Sequence, residues 1–262
     1  MEAVIGINRA PRWWRNVPMM LVILVLGLLC LHGPIAQLDH YHDFADQTQW
    51  GPVIHARDVL SNLGFLLVGL WAVFQFSRQW SLLPDHRRPA LLAFIFSILA
   101  TAWCSSFYHL APDDGRLFWD RLPIATACAS LLALMRPMYS SHAGSLRASW
   151  RELMVALLLA YLSVWWWQYS ADLRPYLALQ IFAIVLPPCW QFAQGVAKFE
   201  RQAFALAIGL YVLAKLCELA DGSILHGLVV ISGHSLKHLL AAGAAYFILL
   251  PWLQPWRSRL WP

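Results

Sequence analysis

An all-α, polytopic bundle of transmembrane helices is the fold class this chain predicts, and three observations carry it. Its 262 residues are 60% hydrophobic and 13% charged, whereas soluble domains run at about 45–50% apolar and about 25% charged. Apolar runs recur along the chain at close to the ~20 residues a helix needs to cross a bilayer. The Lys and Arg residues fall in alternate loops, as the positive-inside rule requires of short cytoplasmic segments. A mean hydropathy of +0.54 excludes a disordered chain, and the composition fits neither a disulfide scaffold nor a coiled coil.

Eight helices are expected, over 17–31, 59–76, 91–109, 121–138, 153–167, 175–190, 203–219 and 234–252. The first follows Arg9, Arg12 and Arg15 and also fits a signal peptide. No small-x-small cleavage site follows Leu31, and Leu29 before Cys30 does not suit a lipoprotein site, so it reads as a retained helix. The second opens at the Asp58–Phe65 block, and a Pro-Asp-Asp-Gly turn, Pro112 to Gly115, divides the third from the fourth. The fifth ends in Trp165-Trp-Trp167, which reads as an interfacial aromatic belt. Pro18, Gly33-Pro34, Pro84, Pro187-Pro188 and Pro251 are expected to punctuate span ends. Residues 1–33 form an N-terminal cytoplasmic segment with an extra helix, and 34–262 a seven-helix membrane domain. There is no internal repeat.

With the N-terminus inside, Arg9, Arg12, Arg15, Arg78, Arg87, Arg88, Arg136, Arg147, Arg151, Lys198, Arg201, Arg257 and Arg259 are cytoplasmic, 13 of the 19 basic residues. Only Glu2, Asp85, Glu152 and Glu200 of the 14 acids join them. The expected topology is therefore N-in and C-in. The net charge of +5 is spent on this pattern; no basic stripe exists for nucleic acid, and no protein partner is implied. The five cysteines, Cys30, Cys104, Cys128, Cys189 and Cys217, lie in apolar runs without a C-x-x-C pair and read as small buried hydrophobes.

Polar residues at span ends suggest function, because they are costly there. Ser105 and His109 stand one helical turn apart at the end of the third span, and Asp120 at the start of the fourth. His234 and His238 repeat the i, i+4 spacing at the start of the eighth. The topology puts all five at the outer end of the bundle. Three histidines match a catalytic zinc site with one open position. Asp120 suits a proton acceptor, and Ser105 a donor to a developing oxyanion. The bland alternatives are an incidental interfacial His pair, a back-bonded Ser105 and a helix-capping Asp120. A haem held by histidines is the sharper competitor.

The segments Ser105-Ser-Phe-Tyr-His109, Asp120-Arg-Leu-Pro123 and Gly233-His234-Ser-Leu-Lys-His238, in that order, resemble the alkaline ceramidases. These belong to a superfamily of seven-helix membrane hydrolases that includes the adiponectin-type receptors. The Asp58–Phe65 block resembles the family's first core helix, and the similarity spans roughly residues 43 to 250. The resemblance implies hydrolysis of the ceramide amide to a sphingoid base and a fatty acid. It assigns zinc (Zn2+) to His109, His234 and His238, proton transfer to Asp120 and assistance to Ser105. The partner it implies is a ceramide-like membrane lipid, and its closest features are those of bacterial members, which places the site near the periplasmic face of an inner membrane.

Eukaryotic members also hold calcium (Ca2+) before the first core helix. Asp43 and Asp46 reproduce part of that spacing with Thr48, but His55 stands where the last acid is expected. The alternative is a plain acidic outer loop. Lys215 and Glu218, three apart, read as a structural pair, and His40, His42, His55 and His226 as loop residues without ligand spacing. Two other functions remain open: a hydrolase of a different acyl lipid, or a haem-binding or receptor-like protein without catalysis.

Overall fold

The computed structural model describes residues 12–136 and 145–254. Glu2, Arg9, Arg257 and Arg259, and the side chain of Arg12, lie outside what is described. The helices are α1 (Val17–His32), α2 (Ala56–Ser61), α3 (Leu63–Gln79), α4 (Arg88–His109), α5 (Asp114–Met135), α6 (Leu146–Ser170), α7 (Arg174–Gln194), α8 (Lys198–Leu219), α9 (Asp221–Leu228) and α10 (Gly233–Leu253). Among the described residues, eight helical stretches are long and apolar enough to cross a membrane, α2 and α3 counting as one and α9 as a connector. The molecule is an all-α, multi-pass helical bundle.

Local chemistry sets most helix starts. Asp113 caps α5 by accepting the Arg116 N–H at 2.7 Å, and Ser232 caps α10 by accepting that of Ser235 at 2.8 Å. Pro18, Pro89 and Pro175 occupy the first turns of α1, α4 and α7, where a missing N–H costs nothing. Pro187, Pro188 and Pro251, expected at span ends, instead lie inside α7 and α10. Within a bilayer a helix that stopped there would leave more backbone groups unsatisfied than the prolines remove. α5 likewise begins well before the expected span, because its first two turns, in which Asp114, Arg116 and Asp120 interrupt Leu117, Phe118 and Trp119, are still helical.

Helices meet through small residues: Ala125 and Ala129 on α5, Ala160 on α6, Ala207 and Ala214 on α8, Ala242 and Ala245 on α10, all buried. Close backbone approach of this kind drives helix packing in lipid. At Gly69 of α3 a Cβ would lie 2.4 Å from Leu99 Cδ2 on α4. α10 packs on α8, α3 and α2, and α5 on α4, α6 and α7. α1 buries none of its residues and docks on α7, where Trp14 donates to the Cys189 carbonyl at 3.2 Å. Of the five cysteines only Cys217 is buried, and Cys30 is exposed. The expectation of five buried thiols fails because apolar runs in a membrane bundle also face outward.

Between α1 and α2 the chain crosses one end of the bundle as a strap, ending in a two-residue hairpin that pairs Gln49 with Ile54 and Trp50 with Val53. This strap, the end of α4 and the starts of α5 and α10 frame the candidate site.

Candidate metal centre

Helical spacing puts His234 and His238 on one face of α10, and α4 ends by delivering His109 against them. The three ring centroids are 4.8 to 5.1 Å apart. Each residue offers a ligand atom within 4.8 Å of the others, and all three are buried. Among the described residues this is the one group of three or more His, Cys, Asp or Glu side chains so placed. His109 is fully buried, and neither ring nitrogen has a hydrogen-bond partner. Unpartnered buried polar atoms are expensive, and imidazole nitrogens facing two further histidines fit an absent cation. The cluster can hold a metal ion.

His238 is fixed from behind. Its Nδ1 lies 2.7 Å from Ser61 Oγ and 3.2 Å from the Asp58 carbonyl. That carbonyl can only accept, so the ring proton belongs on Nδ1 and the Nε2 lone pair points away, toward Ser105 Oγ at 3.5 Å. A ligand histidine oriented by a backbone carbonyl is the usual second layer of a metal site. Asp58 does more: its Oδ1 accepts from Ser232 and Ser235 at 2.7 and 2.6 Å, fastening α2 to the first turn of α10. His234 is set by Asp221, whose Oδ1 accepts its backbone N–H at 2.8 Å while Oδ2 accepts the Ala45 N–H at 3.0 Å. The same carboxylate therefore ties the strap to α10.

The strap closes the cluster. The Phe44 ring lies 4.5 Å from His109 and 4.7 Å from His234, edge-on to both.

No family model, curated protein or solved structure matches the chain.

Ser105, Asp120 and His238 line one cavity of about 430 Å³ running into the bundle, walled by apolar side chains such as Phe94, Ile98, Leu131, Ile184 and Phe204. Asp120 is buried on the second turn of α5, with Ser105 within hydrogen-bonding reach. It does not cap α5, since Asp113 does. Ser105 reaches across to His238 Nε2 at 3.5 Å rather than back to its own helix.

The expected Lys215–Glu218 pair is present at 2.6 Å and gains a member, Lys237, whose Nζ lies 2.7 Å from Glu218 and 3.0 Å from His234 Nε2. The tryptophan belt is divided: Trp165 and Trp166 are exposed, but Trp167 is buried under the Arg121 guanidinium.

Asp43 and Asp46 take other work. The Asp43 side chain is exposed and meets His40 at 2.9 Å. Asp46 is buried and caps α2 from a distance, accepting the N–H groups of Arg57 and Asp58 on Oδ2 and the N–H and hydroxyl of Thr48 on Oδ1. With both oxygens engaged by donors, Asp46 is a poor cation ligand. His55 points its ring at the Asp46 carbonyl, His42 at Tyr108 and Asp114, and His226 is exposed.

Sequence reading gave Phe44 and Asp221 no role and singled out Asp58 and Ser61 only as part of the Asp58–Phe65 block, without their contacts to α10. Asp58 and Asn62, one turn apart at the head of an apolar run, were the available signal. Phe44 carried none.

Proposed function

We propose that this chain is a zinc-dependent hydrolase of an acyl-amide lipid of ceramide type. The observation that carries the reading is the buried three-histidine cluster, with His109 unpartnered at both nitrogens, beside a mostly apolar cavity lined by Ser105 and Asp120. The residues quoted for the ceramidase resemblance are the ones that converge here. Haem gains less support, because three histidines converging on one point, with the Phe44 ring edge-on to two of them, suit an ion with three protein ligands rather than an axial pair.

Zinc held by His109, His234 and His238 would supply Lewis acidity with a fourth position open to the reactants. The chain does the rest. Asp120 accepts a proton from the attacking water and returns it to the amine nitrogen as the C–N bond breaks. Ser105 donates its hydroxyl to the acyl oxygen as that atom gains charge. Phe44 and the strap keep bulk water from the histidines, while the acyl chain lies among Phe94, Ile98 and Leu131. The charge pattern supports a site at the outer face, and the resemblance to bacterial members supports an inner membrane.

The test is elemental analysis of the purified full-length protein together with mass-spectrometric detection of products from a ceramide and acyl-lipid panel. One zinc per chain and release of fatty acid are expected, both lost in His234→Ala. A protein that binds no zinc and cleaves no lipid, or that carries a Soret band, overturns the reading; cleavage of a different acyl lipid corrects the substrate alone.

A further inference from the structure

Beside Asp120 stands a cation that the proposed hydrolysis does not use. Arg121 is 4% exposed, and its guanidinium carbon sits 3.8 Å from the Trp167 ring, 5.4 Å from Tyr41 and 5.5 Å from Tyr176. Nη2 donates to Gln37 Oε1. Nη1 is buried without a partner, and Arg121 makes no salt bridge among the described residues. The rings satisfy the faces of the guanidinium, but they cannot accept its in-plane N–H groups.

Arg121 lines the same cavity as Asp120, Ser105, His238, Lys215 and Lys237. The two lysines share Glu218, at 2.6 and 2.7 Å, and Asp120 is engaged by Ser105. Lys215 is exposed and Lys237 is matched by Glu218, so the buried cation of this chamber left with an unfilled N–H is Arg121. A buried charge needs a counter-charge, and a rigid guanidinium fork suits a carboxylate or phosphate best. Ceramide hydroxyls could accept from the free Nη1, but an anion makes the stronger, charge-assisted bond.

We infer that the cavity takes a lipid with an anionic group, carboxylate or phosphate, near its acyl linkage, and that Arg121 binds that group. The inference rests on the hydrolase reading for where the acyl linkage lies, but not for the binding itself.

Full-length protein in neutral-lipid nanodiscs, stripped of metal with chelator, is titrated with dodecanoylglycine, dodecyl phosphate and neutral dodecanoylethanolamide. At least one anionic amphiphile binds about tenfold or more tighter than the neutral one. Arg121→Gln abolishes the preference and Arg121→Lys keeps part of it; whichever anion binds tighter identifies the group. Equal binding of all three by the wild type overturns the inference even if Arg121→Gln fails to fold, as does a preference that survives in a folded Arg121→Gln. Because binding is read without metal, a protein that never hydrolyses lipid but prefers anions keeps this inference and loses the other. Efficient cleavage of neutral ceramide with no anion preference does the reverse.

Discussion

Gly233→Ala is the smallest change that should dismantle the candidate metal centre without touching one of its histidines. Gly233 is the first residue of α10, directly before His234. A Cβ there would fall 2.1 Å from the Cys217 carbonyl oxygen and 2.7 Å from Asp221 Cα. Both are backbone atoms, so no rotamer relieves the clash. Carbon and carbonyl oxygen normally meet at roughly 3.3 Å, so α10 must retreat from α8 by about 1 Å. Overpacking of this kind costs ~1–3 kcal/mol. The retreat also stretches the 2.8 Å bond from the His234 N–H to Asp221. Loss of such orienting contacts weakens metal binding about 10–100-fold. Thermal unfolding in detergent reads the first effect, and competition with a chromophoric chelator the second. Gly209→Ala on α8 is the control: nothing lies within 4 Å of its added Cβ, and alanine gains roughly 1 kcal/mol of helix propensity, so it should be neutral or slightly stabilising. If Gly233→Ala matches wild type in both assays, or Gly209→Ala is equally damaging, the close-approach reasoning is wrong.

Three further outcomes follow from the same contacts. Asp120→Asn should retain metal, since Asp120 is outside the histidine triangle, and lose hydrolysis by about 10²–10⁴-fold; metal loss would make it a ligand, and full activity would end its proton-transfer role. Asp221→Ala strands the N–H groups of His234 and Ala45 and should lower stability by ~1–3 kcal/mol; limited proteolysis should then cut the strap faster, and an unchanged cleavage rate would deny that Asp221 holds it. Asp172, between α6 and α7, is buried, which alone would raise its pKa. Hydrogen bonds from the Arg174 side chain and backbone, the Ile35 N–H and Trp166 outweigh this and hold it below the usual carboxylate value. Its contribution is complete above the unfolded pKa of about 4 and fades as pH falls through the lower folded value. The melting gap between wild type and Asp172→Asn should therefore be flat from pH 8 to 5 and close under acid; a gap that widens under acid contradicts the pairing.

Much of the frame was legible because hydropathy reports the solvent of each segment directly. Within the described residues all eight apolar runs fall on helices, the fourth as far as Met135 with 137–138 outside the description, and the misplaced ends are where hydropathy and helicity part: the mixed first turns of α5, and Pro187-Pro188, which mark a break in water but are absorbed within α7. Burial of individual residues was less legible. An apolar residue in a membrane helix faces lipid or core with the same composition, so Cys30 and Cys217 look alike in sequence and differ in the fold.

The histidine cluster was readable for a different reason. Each half of it is local: Ser105 with His109, and His234 with His238, are i, i+4 pairs, and the loop pattern sets both at the same end of the bundle. Its support is not local. Asp58 reaches Ser232 and Ser235, Ser61 reaches His238, and Asp221 ties Ala45 to His234. These bonds join residues that share no periodicity and no spacing, and a buried Asp that orients a helix looks in sequence like one that binds a cation. Asp46 is the instructive case. Its position suggested calcium, yet its two oxygens are filled by N–H groups of the strap and of α2. Asp46 and Asp221 are used to hold backbone, and the three histidines are the group that could hold a metal ion.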